Sequence, residues 1–142
     1  MRVNDGRAIP AFIGQVLRAE SLTVFGDGSQ TRSFCYIDDM IEGIYKLLNS
    51  KYTKPMNLGN PEEISLIDFA NEIIDLGGNN NKIIYKSLPI NDPIKRKPDI
   101  TKAMDFLNWK PKVCRKKGLE NTFNYFRRLS LEELNKKEHK FV

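Results

Sequence analysis

Histidine and cysteine are almost missing from this 142-residue chain: His139 is the one histidine, and Cys35 and Cys114 are the two cysteines. No His-centred catalytic constellation, Cys/His metal site or disulfide framework can be built from them. Both cysteines are expected as free, packed thiols. No apolar run approaches the roughly 18 residues that cross a bilayer, and Met1-Arg2-Val3-Asn4-Asp5-Gly6-Arg7 lacks the apolar stretch of a signal peptide. The chain therefore reads as soluble, without membrane contact. Also missing are G-x-G-x-x-G and G-x-x-G-x-x-G loops after a strand, a Walker loop and a nucleophile elbow. Spacing alone shows no complete active site.

What is present suits one small core, because 40% of the residues are hydrophobic. The net charge of +5 is uneven: residues 110–142 hold ten Lys and Arg against four Glu, leaving 13 against 14 in residues 1–109. The tail's Lys136, Lys137 and Lys140 have no interleaved aromatic apart from Phe141, which argues against nucleic-acid binding.

Periodicity predicts a helix over Pro10 to Arg18, a strand at Leu22 to Phe25, an extended segment over Arg32 to Ile37, and a helix from Asp39 to about Asn49 capped by Asp38 or Asp39. The last of these carries Met40, Ile41, Ile44, Tyr45, Leu47 and Leu48, with Met40, Ile44 and Leu48 expected in the core. A short strand running into a turn is expected over Pro55 to Pro61. A helix follows from Ser65 to Gly77-Gly78, then a strand over Lys82 to Lys86 and an irregular stretch with Pro89, Pro93 and Pro98. Thr101 is expected to cap a helix that Trp109-Lys110-Pro111 ends, and a final helix spans about Lys117 to Leu134. The alternation argues for an α/β fold with a mixed sheet.

Two features carry chemistry. Arg32 follows a glycine turn, Gly26-Asp27-Gly28-Ser29-Gln30-Thr31-Arg32, and a basic cluster occupies Pro93-Ile94-Lys95-Arg96-Lys97-Pro98-Asp99. Two guanidinium groups on one site would suit a diphosphate, since the planar fork makes charge-assisted, bidentate bonds. From the residues alone, a hairpin turn and a solvated charged loop account for both features more simply. Gly26 and Gly28 read as backbone permits for the turn, and Trp109 as a packing anchor.

Several blocks nevertheless stand together in a telling order. They are Asn4-Asp5-Gly6-Arg7, Leu22 through Phe34, Tyr36-Ile37-Asp38-Asp39, Asn57-Leu58-Gly59-Asn60-Pro61, Asp92-Pro93 with Lys95 through Ile100, and Leu107-Asn108-Trp109-Lys110-Pro111. In this order the chain resembles, over about residues 1–130, the UDP-glucuronate decarboxylases (UDP-xylose synthases) of the extended short-chain dehydrogenase/reductase superfamily. The glycine-turn-arginine block is common to other nucleotide-sugar enzymes. The Asn4-Asp5-Gly6-Arg7 and Arg96-Lys97-Pro98-Asp99 blocks point more narrowly to the decarboxylases.

The resemblance implies an α/β, carboxy-terminal substrate-binding part of such an enzyme, with 1–130 as the nucleotide-sugar-binding part and 131–142 as a basic, frayed tail. The family's amino-terminal Rossmann half, with its NAD loop, catalytic Thr/Ser and Glu, and Tyr-x-x-x-Lys pair, has no counterpart here, as in a truncated or partial gene product. The resemblance implies that Thr23, Val24 and Phe25 line a uridine pocket, partly through backbone, and that Arg32 holds the diphosphate. It places Arg96 near diphosphate and sugar in a supporting catalytic role, and Arg7 near the cofactor NAD. It further implies a UDP-sugar partner, conversion of UDP-glucuronate to UDP-xylose and CO2 by the intact enzyme, an inactive fragment here, and a homodimer in the intact family. Part of another nucleotide-sugar epimerase or 4,6-dehydratase, or a non-catalytic binding fragment, is the alternative. The compartment stays open between cytoplasm and Golgi. Without the Rossmann half, a strand near Met56 to Leu58 would lose neighbours and Ile41, Ile44 and Leu48 would stand uncovered.

Overall fold

The computed structural model describes residues 6–129 and 132. The motif residues Asn4 and Asp5, Leu134 and the basic tail apart from Glu132 lie outside these described residues. Chain order is α1 (Ala8–Leu17), β1 (Leu22–Phe25), β2 (Thr31–Ser33), α2 (Ile37–Leu48), β3 (Glu63–Ser65), α3 (Leu66–Gly77), β4 (Ile83–Lys86), α4 (Thr101–Leu107) and α5 (Arg115–Arg127). They fall into two compact units. The first holds the chain up to Ser29, Leu66–Asp92 and the chain from Glu120; the second holds Gln30–Ser65 and Pro93–Leu119.

In the first unit, β1 and β4 pair in parallel, with Leu22 opposite Ile83 and Phe25 opposite Lys86. Leu22 and Val24 are fully buried while Phe25 is exposed, the period-two alternation of a half-covered strand. Helices α1 and α3 pack on each other and on β1. Phe12, Ile13 and Val16 supply the buried stripe of α1, and Leu66, Phe69, Ala70 and Ile73 that of α3. The Phe12 and Phe69 rings lie tilted with centroids 6.4 Å apart. Gly78, just past α3, has φ +67°, the left-handed conformation that ends helices, as Gly77-Gly78 predicts. Gly26 and Gly28 adopt φ of +67° and +79° in the turn after β1, as expected. Gly28 has a second reason to be glycine: a Cβ there would lie 2.9 Å from Ile67 Cβ.

In the second unit, β2 pairs antiparallel with β3, Arg32 lying opposite Ile64. The expected mixed sheet is thus two separate two-stranded sheets, one parallel and one antiparallel. The strand expected over 55–61 does not form; the pairing segment lies slightly later, at Glu63–Ser65. A core of Ile100, Ala103, Leu107 and Trp109 is completed by Cys35, Leu47, Met56 and Leu58. Trp109 is the expected anchor, 1% exposed, and its indole Nε1 donates to Asp39 O at 3.0 Å.

Helix α2 departs from its expectations in two ways. Neither Asp38 nor Asp39 caps it: Tyr36 occupies the cap position and makes no side-chain cap bond, while both aspartates sit in the first turn, where the helix dipole favours them. Asp39 is buried and its Oδ2 accepts the Val113 amide at 2.9 Å, so its charge serves the loop after α4. The face that periodicity marks as core is largely open, and Ile41, Ile44 and Leu48 stand uncovered, as the resemblance implies. Met40 is half-buried, Ile41, Ile44 and Tyr45 are exposed, and Leu48 is 79% exposed. The buried side is instead narrow, Asp39 and Gly43, because Gly43 lets Trp109 approach until a Cβ would stand 2.9 Å from its Cε2.

Thr101 starts α4 but does not cap it; the Asp99 carboxylate two residues earlier accepts both its amide (2.9 Å) and its hydroxyl (2.7 Å). The cysteines are free. Cys35 is packed, and burial, with the nearby Asp39 charge, pushes its thiol from 9.0 up to about 11. Cys114, just before α5, is exposed, contrary to its expected packing.

Candidate functional site

The residues singled out by sequence divide between the two units: Arg7, Thr23, Val24 and Phe25 lie in the first, Arg32 and Arg96 in the second.

Within the first unit, Thr23 is held on both its polar groups by one side chain. Gln15 of α1 accepts the Thr23 amide through Oε1 (3.1 Å) and donates through Nε2 to Thr23 Oγ1 (3.2 Å). This amide clamp has no signature in the sequence, where Gln15 is one more polar residue between apolar positions of a helix. Val24 is fully buried, backbone included. Phe25 is 42% exposed, which argues against a pure core role for its ring. The turn that follows is braced by Asp27, whose carboxylate accepts both the Ser29 amide (2.9 Å) and hydroxyl (2.7 Å); these bonds hold it below the usual aspartate range. Arg7 is exposed at the residue preceding α1.

Within the second unit, the structure joins Arg32 to the basic loop. Arg32 Nη1 donates to Pro93 O at 2.8 Å, across 61 residues of sequence, and to its own neighbour's carbonyl, Thr31 O, at 2.8 Å. The Thr31 amide donates to Ile94 O at 2.9 Å, and Thr31 forms a parallel bridge with Lys95. The far end of the loop is held separately: Asn57 Nδ2 donates to Asp99 O at 3.2 Å, and a Cβ on Gly59 would meet Pro98 Cγ at 2.9 Å. The Asn57-Leu58-Gly59-Asn60-Pro61 block and the Arg96-Lys97-Pro98-Asp99 block, distant in sequence, therefore touch, and glycine at 59 is what admits the proline.

The Glu63 carboxylate on β3 completes this arrangement. It accepts the Thr31 hydroxyl at 2.8 Å and pairs with Lys95 Nζ at 3.4 Å and Lys97 Nζ at 3.5 Å. The Thr31 bond first, opposed in part by desolvation, and then the two ammoniums hold the Glu63 carboxyl below the usual glutamate range. Arg96, between the two lysines, is exposed, and no described hydrogen bond or ion pair engages it. The second unit thus presents a cationic, backbone-anchored loop with one guanidinium directed to solvent, a surface suited to phosphate oxygens. The pinning by Arg32 follows from no sequence rule, and Glu63 carries no signal of its own, since a glutamate after Pro61-Glu62 is one more polar residue beyond a turn.

Residues 2–59 match the NAD dependent epimerase/dehydratase family. Among curated proteins, the chain is 46% identical to the UDP-glucuronic acid decarboxylase 1 of Xenopus tropicalis over 128 residues, 90% of this chain and 30% of that protein. It is 43% identical to the UDP-glucuronic acid decarboxylase 4 of Arabidopsis thaliana over 127 residues, 89% of this chain and 29% of that protein. The chain spans about three-tenths of the length of these relatives. Among solved structures, the UDP-glucuronic acid 4-epimerase of Bacillus cereus, in complex with UDP-glucuronic acid and NAD, superposes with a TM-score of 0.83 at 32% identity, over 88% of this chain and 41% of that one. The UDP-glucose 4-epimerase of Thermotoga maritima, with UDP-glucose, gives 0.82 at 28% identity, over 85% and 39%. The chain is thus similar in sequence to the UDP-glucuronic acid decarboxylases and, in residues 2–59, to the NAD dependent epimerase/dehydratase family.

Proposed function

We propose that this chain is the nucleotide-sugar-binding portion of an NAD-dependent UDP-glucuronate decarboxylase, with Arg32 and Arg96 gripping the diphosphate of a UDP-sugar. The observation that carries the reading is the likeness to UDP-glucuronic acid decarboxylases, 40–46% identical in the plant and vertebrate proteins over about nine-tenths of the chain. The geometry supports it, since the loop holding Arg96 is tied to Arg32 by a direct bond to Pro93 O. In this reading residues 1–130 form the binding part, Thr23, Val24 and Phe25 contribute a uridine wall, and Arg96 also orients the sugar. A UDP-sugar epimerase is the second reading, favoured by the backbone likeness to the Bacillus cereus and Thermotoga maritima enzymes. Identity of 46% against 32% and 28% favours the decarboxylase reading.

NAD is bound in the Bacillus cereus complex. The residues of this chain do not fit a dinucleotide cradle by themselves. The glycine turn after β1 has Gly26 N donating to Lys86 O and Ser29 N to Asp27 Oδ1, and it opens onto β2 and not onto a helix N-terminus. With neither a glycine-rich dinucleotide loop nor a Tyr-x-x-x-Lys pair in its sequence, the 142-residue chain should release no CO2 from UDP-glucuronate and added NAD. Turnover above background would overturn that expectation.

Binding is tested by titrating the chain with UDP. Charge-assisted hydrogen bonds contribute about 1.5–3 kcal/mol each, so Arg96→Ala and Arg32→Ala should each weaken binding roughly 10- to 150-fold. Lysine at either position should restore only part, because an ammonium lacks the planar fork. If both alanine variants bind UDP within about twofold of the parent, these arginines are surface charges and the proposal fails.

A further inference from the structure

We propose that Glu63 is a positioning residue for Arg96: its carboxylate latches the Lys95-Arg96-Lys97 segment onto β2 and so holds the Arg96 guanidinium outward for an anionic ligand. The proposal rests on the reading of this loop as a diphosphate grip. Between Pro93 and Pro98 the loop has no regular structure apart from its bridge to Thr31, so its conformation depends on a few anchors. Two of them are backbone acceptors, Pro93 O and Ile94 O, which fix the segment before Arg96. The Gly59 and Asn57 contacts fix the segment after it, at Pro98 and Asp99. Glu63 alone among these partners engages the residues on both sides of Arg96, at 3.4 Å and 3.5 Å.

Alternation makes that engagement consequential. In an extended segment, residues i−1 and i+1 point to the face opposite residue i. Drawing Lys95 and Lys97 toward one carboxylate therefore turns Arg96 away from it, in keeping with its exposure and with the absence of any described partner. Glu63 is itself oriented by the Thr31 hydroxyl at 2.8 Å, and Thr31 lies beside Arg32 on β2. One carboxylate thus couples the strand bearing one arginine to the loop bearing the other, while its charge offsets lysine charge that would otherwise compete for the ligand.

The sign of the effect separates this role from simple electrostatics. Removing a negative charge beside an anion site strengthens binding if only the field matters, whereas loss of a latch weakens it. Glu63→Gln keeps the size and a hydrogen-bond acceptor for Thr31 but loses the ion pairs. In the 142-residue chain it should weaken UDP binding about fivefold and speed hydrogen exchange of the Thr31 amide, which is bonded to Ile94 O. In an Arg96→Ala background the same change should have no further effect on UDP affinity, a result that a general loss of structure would not produce. Equal or tighter UDP binding by Glu63→Gln, or an undiminished fivefold loss without Arg96, overturns the proposal. If the parent chain shows no affinity for UDP, the diphosphate reading fails by itself, and the latch is decided by Thr31 exchange: acceleration supports it and an unchanged rate overturns it.

Discussion

Trp109→Ala is expected to destabilise the second unit by about 3–5 kcal/mol, the range for truncating a buried large aromatic. The residue is 1% exposed and packs with Ile100, Ala103 and Leu107 at the centre of that unit's core. The void would form against Gly43, which has no side chain to move into it. The loss of the indole also strands Asp39 O, which accepts its N–H at 3.0 Å within the interior. Whole domains are commonly stable by only about 5–15 kcal/mol, so the variant should stand at the edge of folding. Trp109→Phe, which retains most of the ring but not the donor, should lose only about 1–3 kcal/mol. Urea unfolding followed by circular dichroism measures both, and a loss below about 1 kcal/mol for the alanine variant would refute this account of the core.

The second large effect is expected at Gly77→Ala, where two principles oppose each other. Alanine in a helix is intrinsically favoured over glycine by about 1 kcal/mol, which alone would make the variant more stable. A Cβ at Gly77 would, however, fall far inside van der Waals contact with Val16 Cγ1, with Phe123 Cζ 3.8 Å away. Val16 is fully buried on α1 and β-branched, so it has no free rotamer to turn into. Overpacking of this kind costs about 1–3 kcal/mol, and the depth of the overlap places it near the upper figure, which outweighs the propensity gain. The control is Val16→Ala combined with Gly77→Ala. The double variant should be more stable than the sum of the two single losses implies, by about 1–2 kcal/mol, since the shortened residue 16 accepts the new methyl. Additive losses, or a stabilised Gly77→Ala, would show that the two helices have room to separate.

These two positions mark the boundary between what is legible in the sequence and what is not. The existence of α1, β1 and α3 follows from local rules: apolar residues at helical spacing, alternation over Leu22 to Phe25, and a helix stopped where Gly78 takes positive φ. The order of motifs also carries the likeness to the UDP-glucuronic acid decarboxylases over nine-tenths of the chain, because it needs residue identity alone. Tertiary structure decided the rest. Glu63–Ser65 is a strand through pairing with Thr31–Ser33, a partner some thirty residues away, while the more strand-like 55–61 has none. Helix α2 has its apolar face exposed although its periodicity is that of a core helix, because periodicity says which residues share a face and not what lies against it. The same holds for the polar contacts. Gln15 on Thr23, Asp39 on Val113, Arg32 on Pro93 and Glu63 on the two lysines are bonds between residues separated by between eight and more than seventy positions. Hydrogen-bonding capacity is written in each side chain, but its partner is selected by the backbone that the packed core brings within about 3 Å.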